Sequence, residues 1–81
     1  MSRYIIKSKE LLDTIPADFP HPELVSGKWE TWTFSYKTFD MAIDTVLKQK
    51  AEKENPKRPL PERKYRIYLK DGRKLTKVWE D

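Results

Sequence analysis

The amino-acid sequence predicts an α+β fold in the order β-α-β-α-β-β, with two helices on one face of a mainly antiparallel sheet that ends in a C-terminal β-hairpin. Three observations carry this expectation. Residues 29–36, WETWTFSY, alternate so that Trp32, Phe34 and Tyr36 share one face and Thr31, Thr33 and Ser35 the other, as a half-buried strand requires. Residues 39–54 place Phe39, Ala42, Ile43, Val46 and Leu47 at the three-and-four spacing of a helix packed on a sheet. Residues 64–80 form two β-prone runs around Asp71-Gly72, the dipeptide of a tight hairpin turn.

The elements follow in order. RYIIK, residues 3–7, is β-prone, and Ser8 offers a side-chain oxygen to cap a short helix in KELLDTI, residues 9–15, where Leu11, Leu12 and Ile15 lie on one side until Pro16 ends it. Pro16, Pro20, Pro22 and Gly27 make residues 16–28 an extended connection, with Phe19 or Leu24 available to tuck against the core. Thr38 caps the main helix. Pro56, Pro59 and Pro61 break it, and residues 55–63, NPKRPLPER, become a stiff basic connector to the hairpin. The hairpin register has two solutions. A two-residue turn sets Thr76 and Val78 beside the core, and a three-residue loop with left-handed Gly72 sets Leu75 and Trp79 there; the second buries more apolar surface and puts Lys74 outward.

The 81 residues fit one domain, 1–81. A chain of this length buries roughly 60% of its unfolded surface, which leaves few apolar residues for a roomy cleft. With no cysteine, disulfides, thiolate metal sites and a cysteine nucleophile are excluded, and a reducing cytoplasm is the expected home. The apolar run Tyr4–Ile6 is too short for a signal peptide or a membrane span. The net charge of +4 conceals a division: residues 1–47 hold 5 basic and 7 acidic side chains, whereas residues 48–77 hold 12 basic and 4 acidic. Such a split points to an anionic partner for the C-terminal half.

Catalytic and metal chemistry find little support. His21, the one histidine, stands between Pro20 and Pro22 with Asp18 and Glu23 close in sequence. A metal site needs three or four converging ligands and a general base an orienting partner, and with no other histidine and no cysteine to recruit it is read as a turn residue. Asp40 and Asp44 share a helix side, but the first complements the helix dipole and the second precedes Lys48 by four residues, the arrangement of an ion pair. Gly27 and Gly72 are too far apart to build a phosphate loop. Lys53 to Pro59 has the K-x-x-P-x-x-P spacing of a polyproline ligand, which a stiff linker explains equally. No cofactor or metal is expected.

The binding candidates are therefore Lys57, Arg58, Arg63, Lys64, Arg66, Tyr68, Lys70 and Lys74, with Trp29 as an interface anchor. Cations neutralise phosphates and an exposed tyrosine ring can stack on a base, so this set fits a non-enzymatic nucleic-acid-binding module. The same patch fits a small regulator or inhibitor, of the sort phage genomes encode, docking on an acidic protein surface. A third account needs no ligand: lysines on a sheet edge discourage edge-to-edge association.

Overall fold

A computed structural model describes residues 2–54 and 61–81 of the chain. Four strands, β1 (Arg3–Glu10), β2 (Glu30–Tyr36), β3 (Arg63–Asp71) and β4 (Lys74–Glu80), form one antiparallel sheet in the order β2-β1-β3-β4. One α-helix, α1 (Phe39–Glu54), follows β2, and single 3₁₀ turns lie at Leu12–Thr14 and Pro22–Leu24.

The short helix expected after residue 7 is absent, because β1 continues to Glu10. Ser8, Lys9 and Glu10 pair with Tyr65, Lys64 and Arg63 of β3, and the Ser8 hydroxyl, buried, accepts a hydrogen bond from Trp32 Nε1 at 2.9 Å instead of capping a helix. The reason is cooperative. A helix of seven residues falls below the length at which helices hold in water, about 12–15 residues, whereas each residue added to a ladder gains cross-strand partners. Only the 3₁₀ turn survives, anchored where the Leu11 N–H donates to the Glu62 carbonyl at 2.8 Å.

Helix α1 forms as its pattern requires. The Thr38 hydroxyl accepts the Met41 N–H at 3.2 Å, and Asp40 occupies the first turn. Ala42 and Val46 are fully buried against Ile6 of β1 and Tyr65 and Ile67 of β3, with Tyr4, Trp32, Tyr36, Phe39, Ile43 and Trp79 around them. Leu47, counted in the apolar stripe, is 54% exposed. The helix backbone lies over β1, β2 and β3, and β4 meets the core through the side chain of Trp79, so the stripe the helix needs is narrower than its sequence offers. Burial raises the pKa of the Tyr65 phenol, with the Asp81 carboxylate adding to the rise and Arg63 and Lys50 opposing it.

Two bulges correct the expected registers. In β2, Thr31 pairs with Lys7 and Ser35 with Ile5, so Trp32, Thr33 and Phe34 all stand opposite Ile6 alone; Phe34, expected in the core beside Trp32 and Tyr36, is 73% exposed. In the hairpin, Asp71 pairs with Lys74 across a two-residue Gly72-Arg73 loop, with φ of +62° at Gly72 and no positive φ at Arg73, as in a type II′ turn. Thr76 therefore pairs with Leu69 on the helix side, and a bulge at Val78 brings Trp79 opposite Ile67. Neither simple register holds along the whole hairpin. Leu75 stays out of the core, and Lys74 lies on the helix side of the sheet.

Candidate binding surface on the open sheet face

Strand alternation assigns the two faces. Tyr4, Ile6, Ser8, Tyr65 and Ile67 turn toward α1, so Arg3, Ile5, Lys7 and Lys9 of β1 and Lys64, Arg66, Tyr68 and Lys70 of β3 turn the other way. No helical element packs on that second face among the described residues.

Residues opposite one another across β1 and β3 form four rungs on this face: Arg3 with Lys70, Ile5 with Tyr68, Lys7 with Arg66, and Lys9 with Lys64. Successive rungs are two residues apart, about 6.8 Å along the strand. Three of the four pair cation with cation. Like charges directly opposite in an antiparallel ladder are destabilising. Moreover β1 and β3 are the two central strands, so protection of a sheet edge does not account for these lysines and arginines.

Aromatic rings take up part of the charge. The Arg66 guanidinium carbon stands 4.0 Å from the centre of the Trp29 ring and Lys9 Nζ stands 5.1 Å from it, while Lys7 Nζ lies 4.9 Å from the Tyr68 ring centre. Trp29 thus rests, half-buried, over the open face. It is not free in solvent. Among the described strand residues one carboxylate lies on this face: Glu80 accepts from Arg66 at 3.1 Å and from Lys77 at 2.6 Å. Hydrogen bonding from Lys77, then from Arg66, holds the Glu80 carboxyl below the ordinary range despite some desolvation. Arg3, Lys7, Lys9, Lys64 and Lys70 make no ion pair among the described residues.

Of the residues chosen from sequence, Lys64, Arg66, Tyr68 and Lys70 gather on this face. Arg63 belongs to the helix side, where it pairs with Glu10 at 3.3 Å, and Lys74 lies on that side also. Lys57 and Arg58 lie outside the described residues. Sequence reasoning missed Arg3, Lys7, Lys9 and Lys77. The signal for the first three was the alternation R-x-I-x-K-x-K from residue 3 to residue 9, which dividing the segment into strand and helix concealed. His21 is exposed in the left-handed region, φ 59°, with Nδ1 3.3 Å from Glu23, and Asp44 pairs with Lys48 at 2.9 Å. No group of three potential metal ligands occurs among the described residues, and no helix there is long and apolar enough to cross a membrane.

No protein-family model, curated protein or solved structure matches this chain.

Proposed function

We propose that the chain is a non-enzymatic binding module that engages nucleic acid through the open face of its sheet. The observation that carries this reading is the stack of like-charged rungs on the two central strands. Arranged this way, the cations work against the fold, and a polyanion whose phosphates settle between the rungs relieves the repulsion and releases its own counterions. Tyr68 adds a second kind of contact. Lys7 covers its ring, at a cation–π energy of about 0.5–1 kcal/mol for an exposed site, whereas stacking is worth ~1–3 kcal/mol per base; an incoming base therefore displaces the lysine, which is then free to meet a phosphate.

Titration of a generic labelled oligonucleotide against salt tests the reading. Each phosphate neutralised contributes a slope of roughly −0.7 to −0.9 in a plot of log affinity against log salt, so several contacts give a steep line. A flat line, or no binding at about 50 mM salt, overturns it. Stoichiometric capture of a single acidic protein with the same flat response would place the face against protein instead.

A further inference from the structure

The end of the open face nearest the β3–β4 turn holds an open-sided cleft of about 420 Å³, lined among others by Arg3, Ile5, Phe34, Ser35, Lys70 and Gly72. Its volume lies within the roughly 300–1,000 Å³ of sites for small organic groups. Three features give it a chemical character. The bulge in β2 leaves Phe34 73% exposed, which a regular ladder would have prevented. Ile5 supplies a second apolar wall. Arg3 and Lys70, the terminal cationic rung, border the same space, and the Arg3 guanidinium is held in place by Ser35, with Nε donating to Oγ at 2.6 Å and Nη2 to the carbonyl at 3.3 Å. Those two bonds use only part of a guanidinium's five donors, so Arg3 is positioned and still able to bind an anion.

We propose that this cleft seats one unstacked base of a single-stranded nucleic acid, the base against Phe34 and Ile5 and its phosphate on Arg3 and Lys70. The inference rests on the nucleic-acid reading above and narrows the ligand from any polyanion to a single strand, since the bases of a duplex are already stacked and paired and cannot enter such a recess. Edge pairing with a second copy of this chain is the competing use of an exposed phenylalanine on an edge strand. The two-residue bulge at that very place interrupts the row of backbone groups that strand addition would need, and favours the base.

Fluorescence anisotropy with a labelled oligothymidine of about twelve nucleotides and a duplex of equal length decides the matter. In Phe34→Ala, single-strand affinity should fall roughly 5- to 150-fold, the equivalent of one lost stack, while duplex affinity stays within about twofold of the parent; Phe34→Tyr should keep the single-strand affinity. Lys70→Glu should weaken both ligands. If Phe34→Ala leaves the single strand unaffected while Lys70→Glu still weakens it, the nucleic-acid reading stands and the base-binding cleft falls. If the parent binds neither ligand, both fall. A parent that sediments as a dimer and a Phe34→Ala variant that sediments as a monomer would assign Phe34 to self-association and overturn the proposal.

Discussion

The two faces of this sheet are built from the same strands and obey opposite rules. Toward α1, residues 4, 6, 65 and 67 are large, apolar or aromatic and closely packed; the buried Ser8 hydroxyl among them is satisfied by Trp32, whereas the buried Tyr65 hydroxyl has no hydrogen-bond partner among the described residues. On the other side, residues 3, 7, 9, 64, 66 and 70 are all cationic, and the rungs they form oppose the fold. Because side chains alternate along a strand, neighbours one position apart carry the fold and the surface separately, and substitutions can address one without the other.

The largest effect should come from the covered face. Ile67 is fully buried at the centre of the sheet, between Ile6 of β1 and Trp79 of β4. Ile67→Ala removes three carbons from a site that cannot collapse easily and should cost about 2–5 kcal/mol, a large part of the 5–15 kcal/mol typical of a domain. Thermal or urea unfolding would register it as a drop in midpoint, with oligonucleotide binding lost alongside folded protein. An unchanged midpoint would mean that the two faces are assigned the wrong way round.

Next in size is the open face, where the expected changes run in opposite directions. Lys64→Glu with Lys70→Glu turns two repulsive rungs, Lys9 with Lys64 and Arg3 with Lys70, into attractive ones. Opposite charges across a ladder contribute roughly 0.2–1 kcal/mol each, so the double variant should melt at or above the parent's temperature while losing most of its affinity for any polyanion. This pair is a cleaner choice than Arg66, whose guanidinium also packs on Trp29 and pairs with Glu80, so that its reversal disturbs structure as well as charge. A gain in stability with no loss of binding would show that the cations serve solubility alone.

How much of this was legible in the sequence follows the range of the interactions involved. β2, α1 and the hairpin were readable because their patterns are periodic and their signals, Thr38 and Asp71-Gly72, act on adjacent residues. The second half of β1 was not, because Ser8-Lys9-Glu10 satisfies a local rule for helix starts and becomes strand only through β3, more than fifty residues away. The bulges at Trp32–Phe34 and Val78 are likewise set between strands, and they decide which apolar residues stay outside. Alternation within residues 64–70 identified half of the cationic face. That β1 supplies the other half, and that both strands are central, depends on sheet order, which no single segment encodes.

The smallest expected effect concerns Glu80, an acid among the cations of the open face. Glu80 already accepts from Arg66 and Lys77, so on the proposed reading a phosphate must compete with it for both cations. Glu80→Gln should therefore tighten oligonucleotide binding modestly and steepen its salt dependence by up to about one unit for each cation released to a phosphate. Mild acid should act in the same direction. Because Lys77 and Arg66 lower the carboxyl's pKa in the folded protein, its contribution to stability is fully present above the ordinary value of 4.5 and is lost as pH falls through the lowered value. Below 4.5 the parent should lose a little stability that the Gln variant never had, and its affinity should approach that of the variant as Glu80 takes up its proton. Parallel titrations of parent and variant, by anisotropy and by thermal melting, would show the two curves converging at low pH. Curves that differ in stability but not in affinity would mean that the ligand never reaches Arg66 and Lys77, and would confine the contact to the β1 side of the face.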